Sequence, residues 1–514
     1  MNGAESLVET FLENDVTVCF ANPGTSEMHF VAALDQHPDM RCVLCLFEGG
    51  TSGAADGYFR MSGKVAATML HLAPGFGNAF ANLHNARKAG SGILNVMGEH
   101  ATYHLAYDSP LRGDTAGISH AISDWTRTSA TAADVAGDGA AGIAAARAGN
   151  GRIATLILPA DTAWGEGSAP AIASATEDGD LPSEAELETV ADALGRPGAA
   201  LFLGGIATYG PELEAAGRIA KATGCRLIAP LFTARVRRGA GQVVLDQLPY
   251  RGELAAEVLA DLHTLVCIGT PPPVNFFAYP GQPSVPTPDT CAVIDLCGRD
   301  GNVTGTLAAL EKRVGAAGSE PDRRAFDLPE VAPDADLTAE TACATIIRWM
   351  PEETIVVNEA VTSGLTFGPQ SRTARPHDFL TTVGGAIGCC LPTAVGSAIA
   401  CPDRKVLALT GDGSAMYTIQ SLWTMARENL DVTVVVFNNG AYRILHHELE
   451  ALGVAQVGRN ARAMFDLTGP ELDWMALARG HGLDAVRADS LAELNAALAH
   501  ADDVAGPCLI EVVL

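Results

Sequence analysis

Two short polar segments near the carboxyl end of the sequence could hold a divalent metal ion. The tripeptide Gly411-Asp412-Gly413 follows the apolar run RKVLALT, and Asn438-Asn439 follows the next apolar run, DVTVVVF. Both runs predict strands, and a right-handed strand–helix–strand crossover brings the carboxyl ends of parallel strands to one edge of a sheet. A carboxylate and an amide carbonyl are oxygen ligands that suit Mg2+ or Ca2+. Each segment alone is also a common turn sequence, so the prediction rests on the pair.

Three polar residues in the first hundred positions could act on a substrate. Glu48 follows the apolar run CVLCLF, where a carboxyl group could exchange protons; alternatively, it stabilises the start of a helix. His71 ends the strand-like run KVAATMLHL before a predicted glycine-rich loop, and it could transfer protons or be structural. Thr25, in NPGTSEMHFV, supplies a hydroxyl group to a substrate, a turn or a helix N-cap. The sequence does not choose among three further histidines near the same sheet edge, His84, His100 and His104.

Alternating apolar runs and helical patterns span nearly the whole chain and predict an α/β fold with parallel sheets flanked by helices. Runs such as VTVCFANPG, GILNVMGEH and RIATLILPAD end in polar residues or glycine, as strands do when they deliver a loop to a sheet edge. Linkers rich in small residues and proline separate three predicted domains, at residues 1–170, 185–320 and 335–514. The segment AMYTIQSLWTMAREN, which directly follows Ser414, predicts one amphipathic helix.

Composition excludes several classes of protein. The 514 residues carry a formal net charge of −27, which argues against a nucleic-acid partner, because phosphate contacts need clustered Lys and Arg. The 12 cysteines are scattered, several of them in apolar runs, as reduced thiols are. Cys42 and Cys45 form a C-x-x-C sequence, but residues three apart on a strand face opposite sides, which disfavours a redox pair.

Targeting and membrane signals are weak. The segment MNGAESLVETFLENDV predicts an acidic amphipathic helix without the basic flank of a signal peptide. The uncharged stretch 379–401 is long enough to span a bilayer, but its glycines and Pro392 favour a buried loop followed by a core helix. We therefore expect a cytoplasmic protein without a membrane segment.

The GDG and NN segments, together with LFEGGTSGAADGYFR, resemble the signature of thiamine-diphosphate-dependent enzymes of the acetolactate synthase and benzoylformate decarboxylase family. The resemblance extends over the whole chain. It implies pyrimidine-binding, central and diphosphate-binding domains in that order, with thiamine diphosphate and Mg2+ or Ca2+ as cofactors. It also implies a homodimer or homotetramer with active sites at the subunit interface. The implied reaction is non-oxidative decarboxylation of a 2-oxo acid, with or without carboligation to an aldehyde or a second 2-oxo acid.

The resemblance also assigns a role to each candidate residue. It implies that Glu48 hydrogen-bonds the cofactor's pyrimidine ring and promotes its proton exchange, and that His71 and Thr25 act on the substrate. The implied metal ligands are Asp412, the side chain of Asn439 and the backbone carbonyl of Ala441. The implied cofactor-binding residues are Asn78, Thr362, Gly385, Ile387, Gly413, Ser414 and Tyr442. Gly385 would offer its carbonyl group to the cofactor and Ile387 would support its bent shape, unless GGAIG is only a packing glycine pair.

Two features separate the sequence from parts of this family. Benzoylformate decarboxylases use a second histidine, from the central domain, and Phe276 takes that place when GTPPPVNFFAYPG is aligned without gaps. Loss of that histidine would favour carboligation over product release. Acetolactate synthases bind FAD, but the chain has no convincing flavin segment, so FAD is not expected. An acetolactate-synthase-type transferase and a catalytically silent regulatory paralogue remain as alternatives.

Overall fold

Three β-sheets with helices packed on them form the molecule. The computed structural model describes residues 1–176, 179–454 and 456–514. The strands within each sheet are parallel, apart from one edge strand, which confirms the predicted α/β class. Most strand residues are buried, as expected when helices cover both faces of a parallel sheet.

The first sheet has six strands in the order β2-β1-β3-β4-β6-β5. Its strands are β1 (Val18–Ala21), β2 (Arg41–Leu44), β3 (Ala66–Leu70), β4 (Ile93–Glu99), β5 (Trp125–Thr128) and β6 (Ile153–Pro159). Its helices are α1 (Gly3–Glu13), α2 (Met28–Asp35), α3 (Glu48–Ser62), α4 (Leu72–Ala89), α5 (Thr115–His120), α6 (Val135–Arg147) and α7 (Ala160–Trp164). The predicted amino-terminal helix is therefore present as α1, which begins with a capping box formed by Asn2 and Glu5.

The second sheet has five strands in the order β10-β8-β7-β11-β12. The strands of this region are β7 (Ala199–Leu203), β8 (Arg226–Ala229), β9 (Val236–Arg238), β10 (Asp246–Gln247), β11 (Thr264–Ile268) and β12 (Ala292–Cys297). Its helices are α8 (Glu184–Leu194), α9 (Gly210–Thr223), α10 (Gly252–Leu259) and α11 (Val303–Arg313). Strand β9 leaves this region and joins the edge of the third sheet, so the central and carboxyl-terminal parts of the chain share a sheet.

The third sheet has seven strands in the order β17-β18-β16-β15-β13-β14-β9. Its own strands are β13 (Ile355–Glu359), β14 (His377–Thr381), β15 (Val406–Gly411), β16 (Val432–Asn438), β17 (Asp484–Ala488) and β18 (Cys508–Val513). Its helices are α12 (Ala339–Trp349), α13 (Val361–Gly364), α14 (Phe367–Gln370), α15 (Cys390–Ala400), α16 (Asp412–Ala415), α17 (Ser421–Arg427), α18 (Arg443–Ala451), α19 (Arg459–Phe465), α20 (Trp474–Gly480) and α21 (Leu491–Asp503). The adjacent strands β14, β13, β15 and β16 deliver four loops to one edge.

A close helix crossing joins the first and third sheets. Helix α3 packs on α15, and their interface contains small residues that let the backbones approach. A Cβ atom at Gly396 would collide with the carbonyl oxygen of Ala54, so only glycine fits there. The uncharged stretch 379–401 is a buried strand end, a loop whose residues 383–387 are only half-buried, and the predicted core helix α15. No helix in residues 1–176, 179–454 and 456–514 is long and apolar enough to cross a membrane.

Two local predictions are wrong. The segment after Ser414 is not one continuous helix, because the short helix α16 ends at Ala415 and α17 begins only at Ser421. In the break between them Thr418 donates its hydroxyl hydrogen to the carbonyl of Gly388 at 2.8 Å, and the β-branched pair Thr418-Ile419 disfavours helix. The glycine-rich segment after His71 is the first part of helix α4 rather than a loop. One of its glycines, Gly75, allows close packing, since a Cβ atom there would lie 2.8 Å from Oε1 of Glu48.

Candidate active site

Asp412 and the Asn438–Ala441 segment meet at the carboxyl edge of the third sheet. Strand β15 pairs with β16 in parallel, with Gly411 opposite Phe437, so the segments that follow lie side by side. Asp412 is the first residue of α16 and is buried. Its Oδ1 atom accepts a hydrogen bond from the N–H of Gly413 at 2.9 Å. Burial raises the pKa of Asp412, and nearby backbone N–H groups, including those of Gly440 and Ala441, only partly offset it.

The second oxygen of Asp412 fits a metal ion. Within the part of the chain that the structure describes, no donor reaches its buried Oδ2 atom. A buried carboxylate oxygen without a partner is costly, and a divalent cation would satisfy it. The same described residues contain no cluster of three His, Cys, Asp or Glu side chains, so a metal here would rely on amide, backbone or cofactor oxygens as well. Asn439 provides such an amide oxygen.

Asn439 connects this site to the segment that contains Thr362. Its Oδ1 atom accepts from the N–H of Ala441 at 3.1 Å, and its Nδ2 atom donates to Oγ of Ser363 at 3.4 Å. Thr362 precedes Ser363 in the short helix α13. Val361, the first residue of that helix, has a φ of 41°, which a β-branched residue rarely adopts. Strain of this kind persists only where the surrounding structure enforces it, as at ligand sites.

Gly413, Ser414 and Tyr442 complete this part of the site. The Tyr442 ring lies directly on Gly413, so that any side chain at position 413 would collide with it. Ser414 is buried in α16, two residues after Asp412. Burial raises the pKa of Tyr442, with the neighbouring Tyr417 and Asp412 contributing, so this phenol stays protonated at neutral pH.

The loop at residues 382–389, which follows β14, contains Gly385 and Ile387. Gly385 has a φ of 78°, which favours glycine, and the ring of Phe276 would lie 2.6 Å from a Cβ atom there. Phe276 therefore packs on the loop predicted to face the cofactor, although its ring is 43% exposed. From the other side Nε2 of His84 donates to the Gly384 carbonyl at 3.1 Å. His84 thus has a structural contact far from His71.

Glu48 lies at the start of α3 and is bound by Asn78. The Nδ2 atom of Asn78, on α4, donates to Oε2 of Glu48 at 3.0 Å. Glu48 is only 8% exposed. As the first residue of a helix it occupies the position expected of a dipole-stabilising carboxylate.

His71 and Thr25 line one cleft of about 300 Å³. His100, His104 and Trp164 line the cleft as well, whereas His84 is not one of its lining residues. Leu72, which follows His71, has a φ of 49°, a second strained backbone position beside a predicted site residue. Thr25 begins a short 3-10 helix, Thr25–Glu27, and Gly24 takes the cap position, so the N-cap alternative for Thr25 is wrong.

Glu27 is a site residue that sequence reasoning missed. It is buried, and its Oε2 atom lies 2.9 Å from Nδ1 of His71. Ser26 donates its hydroxyl hydrogen to Oε1 of Glu27 at 2.5 Å, and the N–H of Gly24 donates to Oε2 at 3.0 Å. Because a carboxylate oxygen accepts hydrogen bonds, this contact assigns the donor role to Nδ1 of His71 and leaves Nε2 for other partners. The sole sequence signal was an acidic residue placed in a turn otherwise made of small residues.

Residues from the two regions form separate clusters, linked through Asn82. Its Nδ2 atom donates to the carbonyls of Gly49 at 2.8 Å and of Gly388 at 3.4 Å. Gly49 follows Glu48, and Gly388 follows Ile387. The carboxylates of Glu48 and Asp412, by contrast, are each hydrogen-bonded by residues of their own region. The structure thus contains an acid cluster (Glu48 and Asn78) and a metal-type cluster (Asp412, Asn439 and Ala441).

Comparison with known proteins provides the family context. The sequence matches the model of the N-terminal TPP binding domain of thiamine pyrophosphate enzymes over residues 1–124 and that of the C-terminal TPP binding domain over residues 363–512. Over its whole length it is 46% identical to a Mycobacterium tuberculosis protein provisionally named as an acetolactate synthase large subunit, 99% of which is covered. Benzoylformate decarboxylase of Pseudomonas aeruginosa is 28% identical, with 98% of this chain and 97% of that protein covered.

A solved structure shows the same fold. Benzoylformate decarboxylase from Polynucleobacter necessarius superposes with a TM-score of 0.85 at 21% sequence identity, covering 100% of this chain and 99% of that one. The agreement over the complete length includes all three sheets.

Proposed function

Because the chain belongs to the thiamine pyrophosphate enzymes, we propose that it catalyses the non-oxidative decarboxylation of a 2-oxo acid, with carboligation to a second carbonyl compound. The observation that supports this proposal is the buried Oδ2 atom of Asp412, which has no hydrogen-bond partner among the described residues and could therefore bind a metal ion. Thiamine diphosphate, when bound, supplies a nucleophilic carbon and a sink for the electrons left by departing carbon dioxide. The other steps belong to this chain's residues.

The third sheet would hold the metal and the diphosphate. Asp412, the side chain of Asn439 and the backbone carbonyl of Ala441 would bind Mg2+, which prefers oxygen ligands. The hydroxyl groups of Thr362 and Ser414 and the backbone of Gly413 would bind phosphate oxygens. The remaining proposed cofactor contacts are Asn78, Gly385, Ile387 and Tyr442.

Glu48 would hold and release the proton of the cofactor's pyrimidine ring. Its buried position makes it a selective partner for one ring nitrogen, and Asn78 fixes its Oε2 atom at 3.0 Å. Oε1 is then the atom that would exchange the proton. We propose that a second copy of the chain completes each site, so that the acid cluster of one subunit faces the metal-type cluster of its partner.

His71 and Thr25 would act on the substrate in the cleft. Glu27 holds Nδ1 of His71, which directs Nε2 towards the cleft, where it can donate or accept a proton. The hydroxyl group of Thr25 is available to the substrate carboxylate. Phe276 packs on Gly385, so an apolar ring occupies the position where an ionisable side chain would assist protonation of the reaction intermediate and release of the product. This contact favours carboligation, and hence an acetolactate-synthase-type transferase as the second candidate function.

Retention of Glu48, Asp412 and Asn439 counts against a silent regulatory paralogue. The test is carbon dioxide release from a panel of 2-oxo acids that includes pyruvate and benzoylformate, with and without thiamine diphosphate and Mg2+. Parallel reactions with an added aldehyde are analysed for ligated product. We expect cofactor-dependent release of carbon dioxide and accumulation of the ligated product when an acceptor is present. Fast aldehyde release without ligation would refute the carboligase assignment, and no release from any 2-oxo acid would refute the enzyme.

A further inference from the structure

Glu359, the last residue of β13, is a buried carboxylate with no role in the reaction described so far. It is only 4% exposed, and burial raises its pKa to about 7. The groups that counteract this rise are hydrogen-bond donors, chiefly the N–H groups of Cys389 and Cys390, rather than cations. A carboxylate in such surroundings is expensive to maintain, so its contacts need an explanation.

Those contacts hold both ends of the loop at residues 382–389. The N–H of Cys389 donates to Oε1 of Glu359 at 3.0 Å, and the N–H of Cys390 donates to Oε2 at 3.2 Å. These donors belong to the start of α15, where N–H groups lack partners within the helix. At the other end of the loop, the hydroxyl group of Thr382 lies 3.5 Å from Oε1. The side chain of Glu359 therefore contacts both ends of the loop.

The loop needs such support because it forms no strand or helix of its own. Gly385 and Gly388 both have positive φ values, 78° and 93°, and Gly385 and Ile387 lie between the two held ends. Its remaining anchors come from outside the third sheet or from the break between α16 and α17. Asn85 bonds to both backbone groups of Ala386, at 2.8 and 3.2 Å, and Thr418 bonds to the carbonyl of Gly388.

Glu359 also lies among the other loops of this sheet edge. It pairs across the β13–β15 ladder with Thr410, two residues before Asp412, and it lies three residues before Thr362, which is in the helix α13 that follows β13. Glu359 therefore belongs to the chain segment that leads to Thr362, is hydrogen-bonded to the loop at residues 382–389, and lies next to the strand that leads to Asp412. A change in its side chain would be transmitted to Gly385 and Ile387 first.

We propose that Glu359 is a positioning residue that holds the loop at residues 382–389 in the shape needed to bind thiamine diphosphate. The inference rests on the proposed function for the identity of the ligand. The ionised side chain offers one acceptor oxygen to each of the adjacent N–H groups of Cys389 and Cys390, so the contact is complete at a pH above its pKa of about 7. Glutamine has nearly the same shape but only one acceptor, and its amide group would bring a donor against one of these N–H groups.

The test compares the full-length protein with Glu359→Gln and with a matched control, Asp138→Asn. Asp138 is also buried, accepts from Ser129 and Arg127 in the first region, and is remote from the loop. Hydrogen–deuterium exchange is followed in peptides covering residues 382–390 of the cofactor-free proteins. The dissociation constant of thiamine diphosphate at saturating Mg2+ is measured by calorimetry, and kcat is measured at saturating cofactor.

We expect Glu359→Gln to increase exchange in the loop peptides while the rest of the protein exchanges as in the wild type. Its dissociation constant for the cofactor should rise about 10- to 100-fold, as expected for loss of a hydrogen bond to a charged group. Asp138→Asn should leave the loop exchange and the dissociation constant unchanged.

Unchanged loop exchange together with unchanged cofactor affinity in Glu359→Gln would overturn the inference. A uniform rise in exchange over the whole carboxyl-terminal region would also overturn it, because it would indicate general destabilisation. If the wild-type protein does not bind thiamine diphosphate, the proposed function fails, and the exchange of the loop peptides still decides whether Glu359 holds the loop.

Discussion

The acid cluster and the metal-type cluster are built in different ways. Asp412 is held by the backbone of its own strand–helix–strand unit, through the N–H of Gly413 at 2.9 Å. Glu48 and His71 are held by side chains from other elements, Asn78 and Glu27. A site built on local backbone keeps its shape when distant residues change, whereas a site built on paired side chains depends on each partner. The two clusters should therefore respond differently to substitution.

Glu48→Ala should produce the largest effect on turnover. Removing the carboxyl group that exchanges the cofactor's proton should lower kcat by roughly 10²- to 10⁴-fold, the usual contribution of general acid–base catalysis. Metal-dependent binding of thiamine diphosphate, measured by calorimetry, should largely survive because the metal-type cluster is untouched. Wild-type turnover in this variant would show that the acid cluster has no catalytic role.

Asp412→Asn should show the opposite pattern. The dissociation constant of thiamine diphosphate in the presence of Mg2+ should rise about 100-fold or more, since even residues that only support a metal ligand contribute about 10- to 100-fold. The cofactor-free protein should not be less stable, because burial disfavours the charged form of Asp412, as its raised pKa indicates. Thermal unfolding with and without cofactor and Mg2+ measures both effects. Undiminished stabilisation by the cofactor would argue against Asp412 as a metal ligand.

Glu27→Gln should separate orientation from binding in the cleft. A misdirected His71 should lower kcat by up to about 100-fold while the affinity for thiamine diphosphate stays the same. Ser26→Ala is the matched control, since Ser26 contacts Glu27 and lies 3.3 Å from Nδ1 of His71 without supplying a carboxylate. A larger loss in Ser26→Ala than in Glu27→Gln would contradict the positioning of His71 by Glu27.

Phe276→His should have the smallest effect on the reaction. The substituted side chain packs on the loop at residues 382–389, outside both clusters. An imidazole next to Gly385 can donate a proton, so the ratio of released aldehyde to ligated product should rise a few-fold. Chromatographic analysis of reactions with an added aldehyde gives this ratio, and Phe276→Leu controls for the loss of the ring. An equal shift in both variants would mean that the ring's bulk, rather than a missing proton donor, controls the outcome.

Much of the fold was predictable because it depends on local patterns. Apolar runs correspond to strands in all three sheets, and the stretch 379–401 contains the predicted core helix, although the loop before it is only partly buried. Helix boundaries were harder, because tertiary contacts override propensity. The hydroxyl group of Thr418 bonds to Gly388, in a loop distant in sequence, and the helix predicted after Ser414 is broken there.

The site was predictable to a similar, limited degree. Candidate positions such as Asp412 and Glu48 could be named from motifs, and their roles stay predictions. Glu27 and Glu359 could not be identified, because a buried acceptor is recognisable only when its donors are known. Their partners, His71 and Cys389, are 44 and 30 residues away in the sequence.

The sequence determined the succession of strands and helices along the chain, the enzyme family and the residue numbers of the candidate groups. Each of these depends on short motifs whose residues are close together in the chain. The three-dimensional packing alone shows which groups are buried and which donors reach them. It selects His100 and His104 rather than His84 for the cleft, sets Phe276 on Gly385, and leaves one oxygen of Asp412 without a donor among the described residues. Burial and hydrogen-bond partners are properties of the assembled chain, because they depend on residues that only folding brings together.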